Sequence, residues 1–385
     1  MNSPHQHCEV AVIGGGAIGL AVAWRAAQRG MSVVVLERDE VGMGASHVAA
    51  GMLAAVGEAD PGERGLLELA LESAARWPSF AEELAEACGI DPGYRRCGTL
   101  RVARDRDEAE ALEHEADRRR ELGLAVRRLR PSEARAREPA LAPTIRQALE
   151  LPDDHAVDPR LLCATLARAA DAAGAQLRER AGVARVLARG ERVSGVELAD
   201  GSLLDCEKVV VAAGCWSGVD GLVPVGAELP VRPVKGQILR LRDPLGPGLL
   251  RGVVRVDHAY LVARGDGRYV LGATVEDRGF DTTVTAGGAW ELIRDVAEAV
   301  PGVLELELEE MTAGLRPGTP DNAPFVGAGV LEGLVWATGH YRNGILLCPV
   351  TAELVAAELA GEAGAGIAAA FSPTRFATVG AGALT

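Results

Sequence analysis

Two arginines stand where the chain otherwise offers small and apolar residues. Arg316 lies in Ala313-Gly-Leu-Arg-Pro-Gly-Thr319, and Arg342 in Thr338-Gly-His-Tyr-Arg-Asn-Gly344. A guanidinium in such a turn either completes a structural salt bridge or grips a ligand carboxylate with two parallel bonds, charged at any working pH. His340 reads as a turn residue or cofactor contact rather than a metal ligand. Tyr260, in the apolar run 259–264, reads equally as pocket or core. The chain has no Gly-x-Ser-x-Gly elbow, no His-Glu-x-x-His and no paired-carboxylate motif. An enzyme without acid–base machinery of its own points to chemistry borne by a cofactor.

The front of the chain supplies the place for one. An apolar run, Val10 to Ile13, is followed by Gly14-x-Gly16-x-x-Gly19, a helical stretch, Gly30, a second apolar run and Glu37. Gly14 permits the tight strand-to-helix turn. Gly16 lets a pyrophosphate approach the backbone, and Gly19 lets helix and strand pack closely. The helix N-terminus then offers free N–H groups and a partial positive charge. Glu37, at the end of the second strand, can accept from ribose hydroxyls, and an acid there favours FAD or NAD over NADP. The small-residue stretch from Arg38 to Met52, with Gly42, Gly44 and Gly51, is predicted to wrap the cofactor.

The remaining elements must position these residues. Periodicity predicts a helix over 61–87, and a highly charged helix over 104–122 whose mixed signs read as a solvated, ion-paired face. Three prolines mark 131–143 as a connector. Asp158-Pro159 caps another helix that Gly174 ends. Strands are predicted at 183–187 and 193–198, with a hairpin turn at Ala199-Asp-Gly-Ser202. Lys208-Val-Val-Val-Ala-Ala-Gly214 reads as a strand returning to a parallel sheet covered on both faces, so the nucleotide domain is interrupted and resumed. Short strands at 237–242, 253–256, 259–264 and 268–274, a helix over 289–300 and the alternating run 304–309 make a second, antiparallel unit with one covered face. A last helix runs to about Leu359, and the Ala/Gly-rich tail after Gly361 is expected to fray.

With 385 residues the chain is long enough for two domains. A net charge of −14 argues against broad binding to nucleic acid or acidic membranes. Seven scattered cysteines lack metal spacing and suit a reducing cytosol. The polar start has no signal-peptide pattern and no long uncharged apolar run predicts a membrane span, so a cytoplasmic location is expected.

Gly14-Gly-Gly-Ala-Ile-Gly19, Ala49-Ala-Gly-Met52, Pro233-Val-Lys-Gly-Gln237 and the two arginine segments together resemble the D-amino acid oxidase superfamily, within it the glycine oxidases of thiamine biosynthesis. The likeness spans about Glu9 to Phe371. It implies a discontinuous α/β, Rossmann-like FAD domain (1–85, 150–220 and 317–385) and an α+β substrate domain on an antiparallel sheet (86–149 and 221–316). It implies non-covalent FAD met by Gly14, Gly16, Ala17, Ile18 and Gly19 at the pyrophosphate, and by Glu37, Arg38 and Val183 at the ribose and adenine. Ala45, Ser46, Ala50, Gly51 and Met52 would line the flavin. Ala213, Gly214 and Trp216 would also meet the cofactor, with His340, Tyr341, Arg342, Asn343, Gly344, Ile345 and Leu346 at the ring end. Arg316 would bind the substrate carboxylate, with Tyr260 and Arg342 beside it and Met52 limiting the space. The reaction implied is hydride transfer from a small amino acid to flavin, with O2 reduced to peroxide, in a homo-oligomer such as a tetramer. His47, Val48 and Thr312 depart from the family pattern and bear on pocket size. Cys348 is expected to stay a free thiol.

Overall fold

The apolar run at the front forms the strand Gln6–Ile13 and pairs in parallel on both sides, with Val33–Leu36 and with Leu203–Val211. Its alternation explains the unbroken hydrophobic pattern. Val10 and Val12 face one core cluster, Ala11 and Ile13 another, so both faces are covered. The computed structural model describes residues 6–246, 248–362 and 367–376. Its first sheet runs in the order Phe325–Ala328, Leu334–Thr338, Leu203–Val211, Gln6–Ile13, Val33–Leu36, Gln176–Arg178, and the antiparallel pair Val183–Arg189 and Arg192–Leu198 extends it beside Leu203–Val211. Helices Ala17–Gln28, Arg64–Cys88, Pro159–Ala172 and Cys348–Leu359 share one core with Val10 and Val12, filled by Trp24, Trp77 and Phe80. The expected cap holds: the Asp158 carboxylate accepts from Arg160 N at 3.0 Å.

The second sheet has the order Glu307–Gly318, Arg232–Arg242, Arg268–Gly272, Tyr260–Ala263, Val253–Arg255, Thr99–Ala103, Gln147–Leu151, Arg127–Leu129. It is antiparallel except where Val253–Arg255 meets Thr99–Ala103. Helix Ala286–Ala297 packs Leu292 and Val296 into the core on one of its faces.

Four expectations change. The connector at 131–143 contains a helix, Pro131–Arg137, because Pro131 takes the first helical position and the Glu133 side chain accepts from Arg130 N at 2.8 Å. The alternating run 304–309 is not one strand. A 3-10 turn, Pro301–Glu305, precedes Glu307–Gly318, and Leu304 and Leu308 are exposed. Helix Arg106–Glu121 has a buried ion pair where a wet face is expected: Glu115 and Arg119 are 2.8 Å apart, and Arg119 donates to the carbonyls of Val56 and Gly57. Within the tail, Phe371 is buried and Arg375 lies over the Phe325 ring while pairing with Asp321, so 367–376 is docked. Residues 363–366 and 377–385 lie outside the described residues.

Candidate active site

A cavity of about 550 Å³ runs between the two sheets, bounded by strand ends Ile13, Leu36 and Ala212 on one side and by Gly236, Ile238, Tyr260 and Arg316 on the other. That volume falls within the range of ligand sites, roughly 300–1,000 Å³. The three front glycines divide the work. Gly14 has φ +107°, and a Cβ there would come within 2.5 Å of Ala212 O. Gly16 is the cap of helix Ala17–Gln28 and faces the cavity with no side-chain cap. Gly19 sits behind, where a Cβ would collide with the Gly14 carbonyl. Ser46 Oγ accepts from Ala17 N at 3.1 Å. The Glu37 carboxylate accepts from Gly15 N at 2.7 Å and Asp39 N at 2.9 Å, which fixes it at the cavity edge. Arg38 lies 4.3 Å above the Trp216 ring and, with Val183, lines the same end.

At the other end, Arg316 lies flat over Gly236, where any Cβ would strike the guanidinium. Nη1 donates to Thr274 O at 3.1 Å and Lys235 O at 3.3 Å. Among the described residues no acid pairs with Arg316, and its Nη2 and Nε have no protein acceptor. Tyr260 stands opposite Gly272 in the sheet, in the space a side chain at 272 would fill. Burial pushes its phenol pKa up, with Arg316 and Arg255 opposing. Arg342 has an acid partner: Glu58 Oε2 is 3.3 Å from its Nη2, and the side chain is 51% exposed. Its turn is tied to the strand of Arg316 through Tyr341 N, which donates to Pro317 O at 3.0 Å from a left-handed backbone, φ +48°. His340 is buried and shares a 3.0 Å hydrogen bond with Thr351 Oγ1, and burial pushes its pKa down to about 3.

The cavity therefore brings together Arg316, Tyr260, Arg342 and Met52 with the glycine turn, Ala17, Ile18, Glu37, Arg38, Ala45, Ser46, Ala50, Gly51, Val183, Ala213, Gly214, Trp216, His340, Tyr341, Asn343, Gly344 and Ile345. Gly19 and Leu346 stand outside its lining, and the Leu346 carbonyl is occupied by Ser73 Oγ and Trp77 Nε1. Sequence reasoning missed Glu58 and Arg255. Glu58 Oε1 is 2.6 Å from Arg255 Nη2. Burial opposes the Glu58 charge, but Arg255 and Arg342 outweigh it and hold the carboxyl below the usual range. The available signal was an arginine interrupting the apolar run Val253-Val-Arg-Val256. Cys348 is buried with its Sγ toward Ala17 O, outside the lining, and burial pushes its thiol pKa up.

A family model described as FAD dependent oxidoreductase matches residues 9–358. The chain belongs to this family. Among relatives of this FAD-dependent oxidoreductase, a glycine oxidase of Geobacillus kaustophilus is 38% identical over 350 residues, 90% of this chain and 92% of that protein. The bifunctional protein ThiO/ThiG of Synechocystis is 36% identical over 376 residues, but the chain spans only 54% of it. The crystal structure of glycine oxidase from Geobacillus kaustophilus superposes with a TM-score of 0.89 at 37% identity, covering 96% of this chain and 99% of that one. The residues present fit FAD: a helix N-terminus whose N-cap is a glycine with no side chain in the approach, an acid fixed at the end of the second strand, and a cavity continuous from there to Arg316. Among the described residues no helix is long and apolar enough to cross a membrane.

Proposed function

We propose that the chain is a glycine oxidase, oxidising glycine, or an amine as small as sarcosine or a D-amino acid, to its imine while O2 is reduced to hydrogen peroxide. One observation carries this reading: Arg316 lines the cavity that begins at the glycine turn and, among the described residues, has no acid partner and two donor nitrogens without an acceptor. The glycine turn, Glu37, Arg38 and the segment 44–52 hold the dinucleotide. FAD, bound non-covalently, supplies the two-electron acceptor. The Arg316 guanidinium grips the substrate carboxylate, and the Tyr260 hydroxyl reaches the same group. Orientation does most of the work, since an aligned reactant gains far more than one held loosely. Met52 and Ile238 restrict the space left for a side chain on the substrate. Glu58 is committed to two guanidiniums and is held ionised, so it is no free base, and the amine must arrive neutral.

The division of labour, with the first sheet's segments holding FAD and the second sheet's holding the amine, belongs to the proposal. So do a cytoplasmic location and a homo-oligomer. Likeness to glycine oxidase over nearly the whole of both chains supports the substrate class. Likeness to ThiO/ThiG supports assigning the imine to thiamine thiazole synthesis. The test is an anaerobic absorbance titration of the purified holoprotein with glycine, sarcosine and D-alanine. Bleaching of the oxidised flavin band at about 450 nm is expected, with the fastest amine naming the substrate. A yellow protein that none of the three bleaches would overturn the proposal.

A further inference from the structure

Lys235 is 1% exposed, one of the largest fully buried side chains in the molecule. Burying an ammonium is costly unless it is well paired, and an apolar side chain would fill the same space. Strand alternation explains where it points: Gly236 and Ile238 line the cavity, so Lys235 and Gln237 lie on the opposite face of Arg232–Arg242. There Lys235 Nζ sits 3.5 Å from Glu276 and 3.6 Å from Asp281. Both acids belong to the irregular strap between Gly272 and Thr285. The strap is laced to the same strand. Glu276 exchanges backbone hydrogen bonds of 2.9 Å with Lys235, and the Glu276 carboxylate accepts from Gln237 Nε2 at 2.7 Å and Thr274 Oγ1 at 2.6 Å. Its other end brings Phe280 to 5.9 Å from Trp216. The two carbonyls that orient Arg316 belong to Thr274, in the strap, and to Lys235 itself.

We propose that Lys235 is a positioning residue for Arg316: its buried ammonium pins the strap to the sheet, so that the Thr274 and Lys235 carbonyls aim the guanidinium into the cavity. The inference rests on Arg316 being the carboxylate anchor. Without the ammonium, Glu276 and Asp281, both partly exposed, turn to water and Thr274 O drifts from Nη1. The effect is read at carboxylate binding, since both carbonyls that Arg316 donates to lie on the strap and on Lys235 itself.

The experiment measures the affinity of the yellow holoprotein for acetate, an unreactive carboxylate, by calorimetry, alongside glycine kinetics. Lys235→Met is expected to weaken acetate about tenfold, the scale of one charged hydrogen bond. It should raise KM for glycine with kcat little changed, and Lys235→Arg, which keeps the cation, should restore both. Arg316→Leu serves as the reference. If Arg316→Leu abolishes acetate binding while Lys235→Met leaves it at the wild-type value, the positioning role is overturned. If Arg316→Leu itself leaves acetate binding intact, it is the anchor reading that fails. Should Lys235→Met not fold, Glu276→Gln carries the same expected loss from the partly exposed side of the contact, and wild-type affinity in that variant would overturn the inference.

Discussion

Arg316 and Arg342 enter one cavity with the same functional group and opposite circumstances. Among the described residues Arg316 has carbonyl supports and no acid; Arg342 is half-exposed and already shares Glu58 with Arg255. Removing an uncompensated, oriented charge costs more than removing one side of a shared, solvated pair. Arg316→Leu should therefore keep the flavin spectrum and lower kcat/KM tenfold or more, from the roughly 1.5–3 kcal/mol of a hydrogen bond to a charged group. Arg342→Leu should cost distinctly less in the same steady-state assay. Equal losses would mean that the Glu58 pairing does not discount Arg342. His340 offers a pH test. Its folded pKa, about 3, lies below the unfolded value of about 6.5, so between these values the unfolded chain binds more protons. Its contribution is complete above about pH 6.5 and is lost as pH falls toward 3. Thermal melts from pH 7.5 to 5 should show a smaller fall for His340→Asn than for the wild-type chain. Parallel curves would assign the acid sensitivity to other groups. The residue types at 316, 340 and 342 are visible in the sequence. Which arginine has an acid partner is not, because Glu58 reaches Arg342 across nearly three hundred residues.

At the level of elements, the strand–turn–helix at the front was fully legible, since each glycine acts on neighbours within a few residues. Its parts can be separated by experiment. A methyl at Gly16 meets only Ser46 Oγ, 3.3 Å away, whereas one at Gly19 runs into the Gly14 carbonyl. Gly16→Ala should weaken FAD binding, read by flavin release on dilution, with the apoprotein melting near the wild-type temperature. Gly19→Ala should lower the apoprotein melting temperature itself. If the two variants behave alike, the division of roles between approach and packing is wrong. The sequence misled wherever a local pattern lacked its tertiary partner. Alternation over 304–309 is the period of a half-buried strand, yet Leu304 and Leu308 are 61% and 47% exposed. Pro131 reads as a breaker until it is placed at the first turn, where its missing N–H costs nothing.

For the whole molecule, the middle of each sheet could be anticipated from its apolar pattern, but the short strands Thr99–Ala103, Arg127–Leu129, Gln147–Leu151 and Gln176–Arg178, and the joint between the sheets, could not. Beside an apolar cluster that packs Ala50 and Ala156 on Ile238, Val253, Val262 and Val270, the joint uses arginines that answer to carbonyl groups on distant segments, and carbonyls leave no trace in composition. Arg264, beyond the end of strand Tyr260–Ala263, donates to Ala50 O and Val157 O, each at 2.7 Å. Arg240 donates to His47 O at 2.6 Å, and Arg160, which pairs with Glu310 at 2.8 Å, also reaches His47 O. The segment 47–51, of which residues 48–51 line the cavity, is thus held by the second sheet as well as by the first. Arg264 bears a heavy cost: it is 8% exposed, its Nε is buried with no hydrogen-bond partner among the described residues, and burial pushes its pKa down to about 10. A side chain kept under such a penalty is expected to matter through what it holds. Arg264→Met removes the unfavourable charge but leaves two carbonyls without their donor, at about 1–3 kcal/mol for each buried group left unsatisfied. The expected result is a lower melting temperature and faster flavin release, because Ala50 and Gly51 line the cavity. Arg192→Met, which loses an exposed pair to Glu332 at 3.5 Å, should change neither. Should Arg264→Met prove as stable as the wild-type chain and retain its flavin as well, the charge penalty exceeds the worth of the two hydrogen bonds, and the joint depends on Arg160 and Arg240 instead.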